Sequence, residues 1–112
     1  MFAEESCLMI GNTRWHWASK INENWKFFHT PPNPSDFKDK DYSQLNWASV
    51  GPIPKEIQLC ASKQIHLNNI PLINLPSHLG IDRALASWSA FTKQSYLKNK
   101  KEALLIVDAG TI

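Results

Sequence analysis

The sequence predicts an α/β protein that has a mixed β-sheet flanked by helices. Three segments with strand patterns, residues 6–10, 13–19 and 25–29, follow each other closely, as the strands of an antiparallel meander do. Farther along, strand and helix patterns alternate and end in the apolar run LLIV, which is typical of α/β units. The 112 residues are enough for one domain with one hydrophobic core.

The first two segments are predicted to form a β-hairpin. The first is apolar up to Ile10 and runs into Gly11 and Asn12, a dipeptide that favours a tight turn. The second alternates in polarity, and Trp15 and Trp17 fall on the same side of it. The third segment, WKFFH, is predicted to be the next strand of the meander.

A proline-rich loop, residues 30–42, is predicted to follow the meander. Its prolines exclude regular strand pairing, and Ser35 is suited to begin a short helix. Residues 46–50 are predicted to form a strand that Gly51 and the proline after it stop. A helix is predicted at residues 54–63, with a proline in its first turn.

The clearest helical pattern begins near Asp82, which is suited to cap the helix or to lie in its first turn. Large apolar side chains follow at near-helical spacing: Leu85, Trp88, Phe91 and Tyr96. Lysines end this pattern, and residues 104–107 are then predicted to form the last strand, buried in the sheet.

Composition excludes several classes of protein. The net charge of +2 is too small, and the lysines are too scattered, to indicate a nucleic-acid partner. No apolar run approaches the roughly 18–20 residues that span a bilayer, and the N-terminus lacks the basic region of a signal peptide. Cys7 and Cys60 lack the spacing of metal ligands, so reduced, buried thiols are predicted. We therefore expect a cytoplasmic protein that binds neither nucleic acid nor membrane.

Two glycine turns stand out as candidate anion sites. Gly11, followed by Asn12 and Thr13, and Gly110, followed by Thr111, each come after an apolar strand pattern. Glycine lets a ligand approach the backbone N–H groups, and the hydroxyl adds a donor. Two such turns on neighbouring strands can hold the phosphates of one nucleotide, although each is also compatible with a plain turn. The GxxxxGK[ST] and GxGxxG motifs are absent.

Two acidic residues are candidates for chemistry. Asp108 follows the last predicted strand, where it can bind a cation that accompanies nucleotide phosphates or simply cap the strand end. Asp82 and Arg83 lie side by side at the start of the predicted helix. They are suited to act as a general base for a hydroxyl and as a fork for a carboxylate or phosphate, or only to begin the helix.

Taken together and in this order, the segments MIGNTRWHWA, HLGIDRALA and LLIVDAGT resemble the type III pantothenate kinase family, including its Bvg-accessory-factor-like members. The family's pieces are a D-x-G-N-T/S opening, a G-x-D-R segment and a D-x-G-T turn. The resemblance implies that residues 1–112 are the N-terminal, ribonuclease-H-like half of an actin-like, sugar-kinase-type enzyme. The second half of such a kinase is absent from this chain.

The resemblance also implies a reaction, the ATP-dependent phosphorylation of pantothenate to 4′-phosphopantothenate, which is the first step of coenzyme A biosynthesis. Asp82 is implied as the proton acceptor, and Asp108 as the ligand of a monovalent cation, K⁺ or NH₄⁺. Pantothenate-binding residues are implied at Gly80, Ile81, Asp82 and Arg83. ATP-binding residues are implied at Met9, Ile10, Gly11, Asn12, Thr13, Arg14, Trp15, His16 and Thr111. Mg²⁺ is expected with ATP, and the full-length parent is expected to be a homodimer.

Two positions depart from the family pattern. Met9 occupies the place of the family's first aspartate, and a thioether neither coordinates Mg²⁺ nor orients a water. His16 stands where a lysine is common, which weakens the fixed positive charge at neutral pH. Two functions therefore stay open. One is the kinase, although the fragment by itself is expected to have little or no kinase activity. The other is a non-catalytic truncated relative that acts as a binding or regulatory module.

Overall fold

The computed structural model describes residues 5–38, 41–97 and 104–107. They fall into two compact units, one that extends to His66 and one that begins at Leu67. No helix in the described residues is long and apolar enough to cross a membrane.

The first unit contains a four-stranded mixed sheet. Its strands are β1 (Glu5–Ile10), β2 (Trp15–Ile21), β3 (Asn24–Thr30) and β4 (Asn46–Ser49). They lie in the order β3-β2-β1-β4. The first three strands are antiparallel neighbours, whereas β4 runs parallel to β1. The predicted meander and the predicted mixed sheet are therefore both confirmed.

Two different turns connect the meander. The loop between β1 and β2 is closed by the Gly11 N–H, which donates to the Arg14 carbonyl at 3.0 Å. Between β2 and β3 the loop is only Asn22 and Glu23, with φ angles of 51° and 68°. Two consecutive positive φ angles are typical of a type I′ turn, whose twist matches that of the flanking strands. Glu23 adopts this conformation although an L-residue with a long side chain disfavours it.

One face of the sheet forms the hydrophobic core. Along β1 and β2, buried residues alternate with more exposed ones, as the two-residue period of a strand requires. The buried core contains Leu8, Ile10, Trp15, Trp17, Phe37, Leu45, Trp47 and Ile57. Three of the five tryptophans thus lie in the core, where aromatic rings contribute large buried areas.

Phe37 reaches the core from the proline-rich loop. A short 3₁₀ helix, Pro34–Phe37, presents it, and the Asn33 side chain caps that helix by accepting from the Ser35 N–H at 3.1 Å. The Phe37 ring lies 5.5 Å from Trp15 and 5.0 Å from Tyr42, centroid to centroid, in edge-to-face arrangements. The expected short helix near Ser35 is confirmed, and its role is to deliver one aromatic ring to the core.

The prediction of a helix at residues 54–63 is wrong. The segment lacks an α-helix and ends in a 3₁₀ turn, Ala61–Lys63. Its backbone groups bond to distant side chains: the Trp47 Nε1 donates to the Cys60 carbonyl at 2.9 Å, and the Gln58 N–H donates to the Tyr42 hydroxyl at 3.3 Å. These tertiary hydrogen bonds replace the i to i−4 ladder that a helix would need.

The two cysteines are free thiols that are partly buried, so the expectation of buried thiols holds only in part. Burial raises the pKa of Cys7, and the nearby Glu5 carboxylate adds to this effect. The hydrogen bond from the Ser62 hydroxyl, with Sγ and Oγ 3.0 Å apart, lowers the pKa of Cys60.

The second unit contains the helix α1, Ile81–Leu97. It begins where the sequence predicts, with Asp82 in its first turn, and its Ala84 is fully buried. Trp88 and Phe91 stack with ring centroids 5.8 Å apart, and Phe91 is still 41% exposed. The apolar stripe of the helix is therefore only partly covered.

The prediction of a last strand at residues 104–107 is also wrong. Residues 104–107 form no strand, and all four side chains are exposed, Leu105 by 87%. An extended segment needs a neighbour to bond its backbone, and no other strand lies among the described residues of this unit. Asp108, Gly110 and Thr111 lie outside the described residues.

Candidate functional site

The turn that connects β1 and β2, residues 11–14, is held at both ends by the core. Ile10 ends β1 and Trp15 begins β2; they lie opposite each other and are 0% and 1% exposed. The three residues Asn12, Thr13 and Arg14 are exposed at the surface between these anchors. The arrangement presents backbone and polar side chains on a rigid base.

The end of β4 packs against this turn. The Ile10 carbonyl accepts hydrogen bonds from the Val50 N–H at 2.8 Å and from the Gly51 N–H at 3.2 Å. A Cβ atom at Gly51 would lie 2.8 Å from the Gly11 carbonyl oxygen and 3.0 Å from the Asn12 Oδ1. A real Cβ essentially never makes a contact as short as the one with the Gly11 carbonyl oxygen, which is a backbone atom. Glycine at 51 therefore allows the two turns to touch.

Gly11 is required for a similar reason. A Cβ atom there would lie 2.7 Å from the Arg14 carbonyl oxygen, the same oxygen that the Gly11 N–H binds. The turn can close this tightly only without a side chain at its first residue. The site thus consists of two glycine-containing turns at the carboxyl ends of two neighbouring parallel strands, which is where open α/β sheets bind ligands.

Sequence reasoning assigned Gly51 only to the end of a strand. The signal that singled out Gly11, an apolar strand followed by glycine, is also present in WASVG. The predicted pairing of two glycine turns therefore has a counterpart between Gly11 and Gly51. The turn at Gly110 lies outside the described residues, so its pairing with Gly11 stays a prediction.

The residues implied to bind ATP divide into two groups in the structure. Ile10 and Trp15 have fully buried side chains, which leaves only their backbone atoms for a ligand. The exposed or partly exposed members are Met9, Gly11, Asn12, Thr13, Arg14 and His16. Thr111 lies outside the described residues. A nucleotide at this turn would meet backbone amides and polar side chains of the second group.

Arg14 and two histidines meet beside the turn. The Arg14 Nη1 donates to the His29 Nε2 at 3.2 Å, and the His16 and His29 ring centroids are 6.2 Å apart. His16 pairs in register with Met9 on β1 and with His29 on β3. The side chains of Met9, His16 and His29 therefore share one face of the sheet. His29 was not among the residues that the sequence singled out, because only strand pairing brings it to the turn.

The local chemistry suits an anion better than a cation. The ion pairs of the described residues both involve Lys20, with Glu5 at 3.5 Å and with Glu23 at 3.6 Å. Arg14 has no such carboxylate partner in the part of the chain that the structure describes. Nor do these residues contain a group of three or more histidine, cysteine, aspartate or glutamate side chains that could hold a metal ion.

The start of α1 positions the second set of predicted site residues. The Asp82 Oδ1 accepts from the Arg83 N–H at 2.9 Å, and the Gly80 carbonyl accepts from the Ala84 N–H at 3.1 Å. A Cβ atom at Gly80 would lie 2.6 Å from the Asp82 Oδ1, so glycine leaves room for this carboxylate. Arg83 is exposed, whereas Gly80, Ile81 and Asp82 are partly buried. A carboxylate and a guanidinium thus stand together at one helix end.

Several proteins named type III pantothenate kinase are similar to this chain. The one from Thermosynechococcus vestitus is 37% identical over 110 residues, which cover 93% of this chain and 40% of the relative. The one from Synechocystis sp. is 33% identical over 109 residues, again 93% and 40% of the two chains. The one from Synechococcus elongatus is 28% identical over an alignment of 123 positions, which covers 93% of this chain and 47% of the relative.

No family model matches the chain, and no solved structure matches it. The chain spans less than half the length of the relatives that it matches. The resemblance that the three motifs indicate is nonetheless confirmed: the chain is homologous to the type III pantothenate kinases, over 93% of its own length and 40–47% of theirs.

Proposed function

We propose that this chain is the N-terminal half of an enzyme that transfers the terminal phosphoryl group of ATP to pantothenate. The product is 4′-phosphopantothenate, and the step begins coenzyme A biosynthesis. The observation that carries the proposal is the contact between the glycine turns at Gly11 and Gly51, which leaves backbone and Arg14 open to phosphates. The named relatives supply the substrate.

The sheet order supports the fold part of this proposal. The antiparallel β3-β2-β1 meander with β4 parallel to β1 forms a mixed sheet, which is compatible with the N-terminal half of an actin-like protein. A second half of similar architecture is then expected to complete the nucleotide cleft. The homodimer and the cytoplasmic location remain parts of the proposal that rest on the resemblance.

In the proposed reaction, the exposed turn residues bind the phosphates of ATP. Backbone N–H groups and the Arg14 guanidinium donate hydrogen bonds to phosphate oxygens, and this neutralises charge that develops during transfer. Because phosphoryl transfer needs little covalent chemistry from the protein, positioning and electrostatic stabilisation account for most of the rate. The turn is suited to that task because the core fixes both of its ends.

Asp82 and Arg83 are proposed to act on pantothenate. The Arg83 guanidinium binds the pantothenate carboxylate, and the Asp82 carboxylate takes the proton from the hydroxyl. The hydroxyl oxygen then forms its bond to the terminal phosphorus of ATP while the bond from that phosphorus to the bridging oxygen breaks and ADP leaves. Asp82 is partly buried and its carboxylate is already oriented by the Arg83 N–H, which favours a fixed geometry.

The residues of the β1–β2 turn are poor ligands for the Mg²⁺ that is expected with ATP. Mg²⁺ prefers carboxylate and phosphate oxygens, and Met9 offers neither. The turn, residues 11–14, contains no aspartate or glutamate, so it contributes no carboxylate. Asp108 is proposed to hold K⁺ or NH₄⁺ and lies outside the described residues. No step of the reaction is therefore assigned to a metal ion here.

The proposal is tested with a chimera in which residues 1–112 precede the remaining C-terminal part of the Thermosynechococcus vestitus relative. We expect pantothenate-dependent ADP release by the chimera and little or none by the 112 residues alone. Asp82→Asn in the chimera removes the base and is expected to lower kcat by about 10²- to 10⁴-fold. Glu56→Gln, which changes an exposed carboxylate outside both candidate sites, serves as the matched control. A rate unchanged by Asp82→Asn would contradict the role of this aspartate.

A second candidate is a non-catalytic relative that acts as a binding or regulatory module. Met9, in the place of the family's first aspartate, favours it. Calorimetry with ATP separates the two functions, because the module predicts that neither the chain nor the chimera binds nucleotide. Binding of ATP by the chimera would exclude the module as the whole explanation.

A further inference from the structure

Arg14, His16 and His29 form a cluster that we call the basic corner. The Arg14 Nη1 lies 3.2 Å from the His29 Nε2, and the two imidazole centroids lie 6.2 Å apart. Arg14 comes from the β1–β2 turn, whereas His16 and His29 face each other across β2 and β3. The three groups therefore stand on one sheet face at the edge of the glycine turn, and all three are exposed.

Among the described residues, no acidic side chain forms an ion pair with the basic corner. On β1 the same face carries Cys7 and Glu5, and Glu5 pairs with Lys20. Lys20 lies four residues from His16 on β2, which is about 13 Å along a strand. On β3, Lys26 belongs to the opposite face, and β4, Asn46–Ser49, contains no charged residue. The positive charge of Arg14 is thus unneutralised among the described residues.

The hydrogen bond between Arg14 and His29 is compatible with only one state of the ring nitrogen that it uses. A guanidinium only donates, so the His29 Nε2 must accept and therefore carry no proton. In the absence of an anion, protonation of His29 would break this bond and place two positive groups about 3 Å apart. An anion bound between them reverses the preference, because it accepts from the guanidinium and from a protonated imidazole together.

We propose that His29 is a phosphate-binding residue of the β1–β2 turn and that phosphate binding there is coupled to proton uptake by the basic corner. The ligand class is the phosphate chain of a nucleoside triphosphate, so the inference rests on the proposed ATP site. On protonation, His29 and His16 then add positive charge beside the Arg14 guanidinium. Affinity for the phosphate chain rises as pH falls, because the bound state holds more protons than the free state.

Calorimetry with sodium tripolyphosphate and the 112-residue chain tests the proposal. The titrations are run at pH 6.0 and pH 7.5, each in two buffers that differ in ionisation enthalpy, so that proton uptake is measured directly. We expect about threefold to tenfold tighter binding at pH 6.0, with net proton uptake, since one hydrogen bond contributes on this order. Absence of tripolyphosphate binding would overturn the inference.

Two variants separate the histidine from the probe's own titration. His29→Gln keeps an acceptor for Arg14 and cannot protonate, so it is expected to lose most of the pH dependence and of the proton uptake. His66→Gln removes an exposed histidine outside the basic corner and is expected to retain both. Equal pH dependence in His29→Gln and the unaltered chain would overturn the role of His29. A histidine C2–H NMR titration provides a second readout: the His29 midpoint should move to higher pH when tripolyphosphate is added.

The inference and the kinase can fail separately. If the chimera is active but tripolyphosphate binding does not depend on pH, the role of His29 is refuted and the proposed kinase activity is retained. If the chain takes up protons when it binds tripolyphosphate but the folded chimera is inactive, the role of the basic corner is retained and the proposed kinase activity is refuted.

Discussion

The contact between the two glycine turns makes a prediction for Gly51→Ala. The added methyl would lie 2.8 Å from the Gly11 carbonyl oxygen, 3.0 Å from the Asn12 Oδ1 and 3.1 Å from the Gly11 carbonyl carbon. Two of these three atoms belong to the backbone, so the clash cannot be relieved by a rotamer change and the turns must separate. Overpacking of this kind costs about 1–3 kcal/mol, and loss of the Gly51 to Ile10 hydrogen bond adds about 0.5–1.5 kcal/mol.

Urea denaturation followed by tryptophan fluorescence measures this cost, because Trp15, Trp17 and Trp47 all lie in the core of the same unit. Gly51→Ala is expected to lower the midpoint without changing the m-value, and to weaken tripolyphosphate binding. Val50→Ala is the control: its side chain is 42% exposed, and we expect a change of about 0.5 kcal/mol or less. A midpoint and a tripolyphosphate affinity that both match the unaltered chain would refute the close packing of the two turns.

Three further substitutions or reactions test other parts of the structure. Phe37→Ala should destabilise the first unit by about 3–5 kcal/mol in the same urea experiment, because the ring is buried between Trp15, Trp17 and Tyr42; a loss below 1 kcal/mol would contradict its place in the core. Glu23→Gly should stabilise the chain by about 0.5–1 kcal/mol, because glycine accepts a φ of 68° that strains glutamate, and destabilisation would argue against the type I′ turn. Iodoacetamide should alkylate Cys60 before Cys7 and at lower pH, because the lowered pKa of Cys60 provides more thiolate whereas the raised pKa of Cys7 provides less. Peptide mass spectrometry that found Cys7 modified first would reverse this assignment.

Local patterns were sufficient for the sheet. Alternation placed Trp15 and Trp17 on one face, and that face is the core. The helix that starts at Ile81 was also predictable, because a capping residue and a long apolar stripe agree there. In these segments the pattern of polarity and the local start signals point to the same structure, which is why sequence reasoning succeeded.

Where tertiary contacts decide, sequence reasoning failed. At residues 54–63 helical spacing was present, but bonds from Trp47 and Tyr42 hold the backbone in another conformation. At residues 104–107 the apolar run indicated a strand, yet a strand also needs a partner. The type I′ turn at Asn22 and Glu23 lacks the glycine that usually reveals it.

The candidate site was predictable in one half and not in the other. Gly11 and the residues after it could be found because glycine, amide and hydroxyl follow a strand directly. Gly51 follows an apolar strand as Gly11 does, but its place beside Gly11 could not be predicted, and neither could that of His29. They are 40 and 18 residues from Gly11, and only the pairing of β4 with β1 and of β3 with β2 brings them close. The side chains of Ile10 and Trp15 are buried in the structure, which limits their role at the site to backbone atoms.

The central claim, that these residues belong to a pantothenate kinase, is tested most directly by identifying the product. The chimera of residues 1–112 with the C-terminal part of the Thermosynechococcus vestitus relative is incubated with ATP and pantothenate, and the products are analysed by mass spectrometry. The account predicts 4′-phosphopantothenate and ADP in equal amounts, with neither formed by the C-terminal part alone. ADP without phosphopantothenate, or no turnover by a folded chimera under conditions in which the relative itself is active, would contradict it.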